Sequence, residues 1–179
     1  KHVMRAAASN VKKISLELGG KSPNIVFADA NLQSAVIGSL FGIYLNAGQV
    51  CQAGSRLLVQ QEVHDQFMAM FTNFTAGMKV GDPMDLQTRM GPLVSDQQLK
   101  TVEGYVDAGK QEKAQLVKGG GRLTGGEFDK GYFYEPTIFD QVDNRMKIAQ
   151  EEIFGPVLSV IPFKDAKEAL QIANDTMYG

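Results

Sequence analysis

Cys51 is the only thiol in the 179-residue chain, and it closes the run Asn46-Ala47-Gly48-Gln49-Val50-Cys51. A glycine just before it permits close approach of another group or an unusual backbone angle, so a nucleophile is one reading. A small buried hydrophobe is the other, and it is the commoner fate of a lone cysteine. A nucleophile also needs a base or partner, and neither His2 nor His64 has a sequence reason to lie near. Glu17 shifts the balance. It interrupts the apolar run Ile14 to Leu18 and is followed by Gly19 and Gly20, which would bring its backbone and carboxylate against a ligand. The competing reading is an edge-strand charge facing solvent.

Other chemistries fit less well. Gly20-Lys21-Ser22 resembles the end of a phosphate-binding loop. Such a loop needs a glycine where this chain has Ser15, and a helix where it has Ile25-Val26-Phe27. Gly119-Gly120-Gly121 cannot complete a dinucleotide fingerprint, because position 124 is Thr and no helix opens there. The two histidines have no metal-ligand spacing, and one cysteine cannot make an internal disulfide, which fits a reducing, cytoplasmic compartment. Eighteen Lys and Arg against twenty Asp and Glu give a net charge of −2 without a basic stripe, which argues against nucleic acid. No apolar run approaches the length of a membrane span. The sequons at Asn73 and Asn174 follow no secretory signal and are read as chance.

The elements that must position these residues follow from periodicity. Ile14 to Leu18 and Asn24 to Phe27 read as strands flanking the turn Gly19 to Pro23. Asp29-Ala30-Asn31 offers an N-cap for a helix carrying Leu32, Ala35, Val36, Leu40, Ile43 and Tyr44 and ending at Gly48. Ser55 to Gln60 is a strand, and Val63, Phe67, Met70, Phe71, Phe74 and Met78 form the core-facing stripe of the next helix. Ser95-Asp96 starts a helix that closes at Gly109. Gln115 to Lys118 and Val157 to Phe163 read as strands, with a last short helix over Ala166 to Ala173. The alternation predicts an α/β fold, a mostly parallel sheet flanked by helices. With 44% apolar residues and 179 positions, one domain with a sizeable core is expected without a metal or disulfide.

Leu16-Glu17-Leu18-Gly19-Gly20-Lys21-Ser22-Pro23 resembles the glutamate signature of the NAD(P)-dependent aldehyde dehydrogenase superfamily, and Gly48-Gln49-Val50-Cys51 resembles its cysteine signature. Their separation fits the family pattern. Glu151-Glu152-Ile153-Phe154-Gly155-Pro156-Val157 resembles a third signature, and family-like sequence joins the three over nearly the whole chain.

The resemblance implies that Cys51 attacks the aldehyde carbonyl and that Glu17 is the base for the later attack of water. It implies that Glu152 holds the nicotinamide ribose of NAD or NADP, with Phe154 near the nicotinamide end, Leu18 touching it through its backbone and Gln98 near the same ribose. Lys21 and Pro23 are read as shaping the turn. Gln52 stands where the family commonly has a small or apolar residue and Thr101 where many relatives have lysine, so the substrate subgroup stays open. Residues 1–179 would be a catalytic-domain segment, with 1–16 the tail of the preceding dinucleotide-binding domain. The rest of that domain and the C-terminal oligomerisation region would lie outside, and the segment alone would be nearly inactive. A homodimer or homotetramer acting on a small aldehyde is implied for the full-length protein. Release by coenzyme A instead of water, or a non-catalytic scaffold, are the alternatives.

Overall fold

The computed structural model describes residues 1–178; Gly179, the last residue of the expected segment, lies outside the described residues. Five strands form one sheet: β1 (Pro23–Val26), β2 (Arg56–Gln60), β3 (Gln115–Lys118), β4 (Thr137–Asp140) and β5 (Val157–Phe163). Their spatial order is β1-β2-β5-β4-β3, parallel throughout except for the antiparallel β3 edge. The expected α/β architecture is therefore present. The helices are α1 (His2–Ala8), α2 (Leu32–Tyr44), α3 (His64–Ala76), α4 (Asp96–Gln111), the single turn α5 (Lys147–Gln150) and α6 (Ala166–Asn174).

The central strand explains its own sequence. β5 lies between β2 and β4, so both its edges are paired, and Val157 to Ile161 are all buried, as a continuous apolar run requires in a parallel sheet. Pro162, which has no N–H to give, falls beyond the β4 ladder, which ends at Ser159. Helix α3 packs Phe67 and Phe71 in a stack with ring centroids 5.8 Å apart, and Phe71 meets Tyr44 of α2 at 6.3 Å.

Three expectations are corrected. Ile14 to Leu18 is not a strand: sheet pairing begins at Pro23, and Ile14, Leu16 and Leu18 are exposed with no neighbouring strand. Alternating apolar residues make a strand only where an edge is offered to them. The first long helix stops at Tyr44, because Asn46, Ala47 and Gly48 take left-handed backbone angles (φ 52°, 54° and 72°) that no α-helix accommodates. Thr137–Asp140 is a buried strand that periodicity passed over.

Candidate active site

Three loops converge at the ends of β1 and β2 and before β5, and glycines set how closely they approach. The Gly20 N–H donates to Glu152 Oε1 at 3.1 Å. A Cβ on Gly19 would collide with the Glu152 carboxylate, and one on Gly20 with the backbone carbonyl of Cys51. The turn thus threads between the cysteine loop and the Glu152 carboxylate, which only residues without a side chain can do. Gly48, in its left-handed conformation, places its missing Cβ against the carbonyl of Gly155. Each motif singled out in the sequence touches the other two through a glycine.

The cysteine loop is held by a reciprocal clasp. Asn46 Nδ2 donates to the Gln49 carbonyl at 3.0 Å, Gln49 Nε2 donates to the Asn46 carbonyl at 3.1 Å, and Gln49 Oε1 accepts the Val94 N–H at 2.9 Å. Cys51 follows, exposed, so a buried core thiol is not what this residue is. Cys51 and Glu17 line one open cleft of about 510 Å³ with Leu18, Lys21, Gln52 and Tyr178. Glu17 is exposed and belongs to no strand.

The third loop is supported from α4. Ser95 Oγ caps that helix by accepting the Gln98 N–H at 3.2 Å. Gln98 Nε2 then donates to the carbonyls of Ile153 (2.9 Å) and Phe154 (2.8 Å). Val102, one turn on, fills the space where Gly155 has no side chain. This support holds Phe154 in a left-handed conformation, φ 56°, with the residue 39% exposed. Glu152 is half-buried, and its N–H donates to the Tyr178 hydroxyl at 3.3 Å. Tyr105 donates to Glu151 at 2.8 Å; burial first and that carboxylate second push its pKa up to about 12.

Beneath the turn lie two buried cations that sequence reasoning did not assign. Arg56, fully buried at the start of β2, donates from Nε to the Lys21 carbonyl (3.0 Å) and from Nη1 to Asn144 Oδ1 (3.0 Å) and the Ile172 carbonyl (2.8 Å). Its Nη2 donates to the Ala173 carbonyl at 2.8 Å, so it satisfies carbonyls at the α6 C-terminus while fixing the turn. Burial lowers its pKa from the ordinary value, and Asp175 opposes that fall. An arginine opening the otherwise apolar run Leu57-Leu58-Val59 was the available signal. Lys21, expected only to shape the turn, is buried as well.

Among the described residues no group of His, Cys, Asp and Glu could hold a metal ion, and no helix is long and apolar enough to cross a membrane.

A thiol and a carboxylate thus line one cleft, with a second carboxylate held behind the same turn. Residues 1–179 match the aldehyde dehydrogenase family, and the chain belongs to it. It is 50% identical over 179 residues to betaine aldehyde dehydrogenase of Bacillus subtilis (strain 168), covering 100% of this chain and 36% of that protein. Among solved structures it is similar to betaine aldehyde dehydrogenase from Staphylococcus aureus in complex with NAD+ (TM-score 0.94, 45% identity, 99% of this chain and 35% of that one). It is also similar to the aldehyde dehydrogenase KauB from Pseudomonas aeruginosa (TM-score 0.92, 52% identity, 99% and 36%). The chain thus spans about a third of the length of these relatives.

Proposed function

We propose that this chain carries the thiol-bearing core of an enzyme that oxidises an aldehyde to a carboxylic acid with NAD+ or NADP+. The observation that carries the reading is the seating of Gly20 against the Cys51 carbonyl. It puts the Glu17 and Cys51 segments on one cleft with Glu152 behind the same turn.

The residues present fit the nicotinamide end of such a cofactor. Glu152 Oε1 is taken by Gly20, while Oε2 accepts no hydrogen bond from the described residues and is suited to a sugar hydroxyl. Phe154 offers an exposed ring nearby in sequence, and the Leu18 backbone borders the cleft. Gln98 serves the same end by holding the Ile153 and Phe154 carbonyls. The relative solved with NAD+ favours NAD.

In this reading the Cys51 thiolate adds to the aldehyde carbon, a C–S bond forms, and the carbonyl π pair moves onto oxygen. The backbone N–H of Cys51 is a donor for that oxygen. The cofactor, when bound, supplies the acceptor for the hydride that leaves the thiohemiacetal carbon, so that a thioester remains on Cys51. Glu17 then takes a proton from water as the water adds to the thioester; the C–S bond breaks, and the acid departs with the thiolate restored.

Pre-steady-state kinetics on the full-length protein test these roles. Cys51→Ala should give neither a burst of reduced cofactor nor a covalent adduct. Glu17→Gln should give a burst of up to about one equivalent per site, then a much slower steady state with the acyl group trapped on Cys51. A Glu17→Gln enzyme that turns over normally is not missing its base, and the assignment falls. Strict dependence on coenzyme A would move the release step to a thiol, and resistance of Cys51 to alkylation would favour a scaffold. The family resemblance also supports a cytoplasmic homodimer or homotetramer acting on a small aldehyde, which sedimentation and localisation of the full-length protein would test.

A further inference from the structure

Lys21 is 2% exposed, and its Nζ has no hydrogen-bond partner among the described residues. Withdrawing an ammonium from water without a partner is strongly unfavourable, and Met or Leu would fill comparable space without that cost. The backbone around it is fixed on both sides. Gly20 N–H holds Glu152 Oε1 at 3.1 Å, and the Lys21 carbonyl receives Arg56 Nε at 3.0 Å.

Three charged groups act on the ammonium: Arg56 from β2, and Glu152 and Glu151 from the segment after α5. Burial first and Arg56 second push the Lys21 pKa down to about 7, while Glu152 and then Glu151 pull it back. Arg56 cannot swing away, since four hydrogen bonds hold it. Glu151 is engaged elsewhere, by the Tyr105 hydroxyl at 2.8 Å and by Lys147 at 4.0 Å. Glu152 has only the Gly20 N–H, so its charge is the one left to answer Lys21.

We propose that Lys21 is a positioning residue for Glu152: its charge, held beneath the Gly19–Gly20 turn, restrains that carboxylate, and loss of its proton relaxes the restraint. The proposal starts from a buried, unpartnered ammonium one residue along from the Gly20–Glu152 hydrogen bond; its consequence for cofactor binding rests on the role proposed above for Glu152.

The first arm of the test uses the full-length protein without cofactor, as thermal midpoints between pH 6 and 10. The unfolded chain keeps the Lys21 proton up to its ordinary value of 10.5, whereas the fold sheds it near 7, so this residue makes stability rise with pH across that window. Lys21→Met should remove the rise, with a midpoint above wild type at pH 6 and a gap that closes toward pH 10. Glu152→Gln removes an attraction that keeps Lys21 charged, so the rise should begin at lower pH; in a Lys21→Met background it should have no such effect. Lys21→Gln repeats the comparison with a second uncharged side chain should Lys21→Met not fold. A rise that starts at the same pH with and without the Glu152 carboxylate overturns the proposal.

The second arm follows NADH binding by the cofactor's own fluorescence. Lys21→Met should weaken binding roughly fivefold at pH 6, where wild type is charged, and match wild type at pH 9. An equal deficit at both pH values would mean lost packing and would overturn the charge role. If wild type binds no dinucleotide at any pH, the proposed function fails, while the first arm still decides whether Lys21 and Glu152 are coupled.

Discussion

The α2–α3 side of the sheet and the cleft side are built by different means. Under α3, Phe67, Phe71 and Tyr44 meet as rings, and the contact is side chain on side chain, buried and apolar. At the cleft, the contacts that fix geometry run through backbone, where Gly19, Gly20 and Gly48 have no side chain to hold off the Glu152 carboxylate and the Cys51 and Gly155 carbonyls, and the buried groups beneath are Lys21 and Arg56. The first arrangement stores stability, roughly in proportion to the apolar surface covered. The second contributes little by area but sets positions to a fraction of an ångström. Mutations on the two sides should therefore separate stability from chemistry.

The largest effect is expected on the apolar side. Phe71→Ala empties a fully buried ring position and should lower stability by about 3–5 kcal/mol, read by denaturant midpoint, while the folded fraction keeps its kcat. Next is Gly20→Ala, whose methyl must displace the Cys51 carbonyl. A shift of about 1 Å can cost about a hundredfold in rate, so kcat/KM should fall by about that factor with a much smaller change in stability. If Gly20→Ala unfolds the protein while Phe71→Ala spares it, the contrast between the two sides is wrong. Gln98→Ala removes two hydrogen bonds from the Ile153–Phe154 carbonyls and should raise the dissociation constant for NADH about tenfold, with the Cys51 burst preserved.

The smallest effect is a pH dependence remote from the cleft. His64, buried at the start of α3, contacts Asp65 at 3.0 Å and Asp140 at 2.9 Å. Burial alone would lower its pKa, but the hydrogen bonds to Asp65 and Asp140 outweigh burial and raise it above the ordinary 6.5. The stabilisation it gives is therefore complete below pH 6.5 and disappears as pH rises through the raised value. His64→Gln should flatten that loss, a change of about 1 kcal/mol in the pH profile of the midpoint, with no change in the burst.

How much of this was legible varies with the kind of signal. The positions of β2, α3, α4 and β5 followed from periodicity because each buries a continuous or one-sided apolar pattern. Cys51, Glu17 and Glu152 stood out because they lie in glycine-bearing motifs whose order and spacing resemble one family. β4 was missed although Thr137-Ile138-Phe139 after Pro136 had strand composition. Ile14 to Leu18 misled because alternation says nothing about whether a partner strand is present. Arg56 and Lys21 were passed over because burial of a cation depends on carbonyls and carboxylates supplied from residues 144 to 173, which local sequence does not reveal.

The pairing of β2 with β5 also fixes when this site can exist. Residues 56–60 align with 159–163, so two adjacent strands are separated by almost a hundred residues of intervening chain. Gly20 and Cys51 lie before that closure, and Glu152 and Gly155 lie just ahead of its second strand. A chain emerging from the ribosome must therefore expose residues 152 to 155 before the Gly19 and Gly48 contacts can form, and Cys51 remains without Glu152 until then. Such distant pairing is intrinsically slow and leaves the unpaired strands open to association, so the thiol spends the early life of the chain without the carboxylate that later stands behind the same turn.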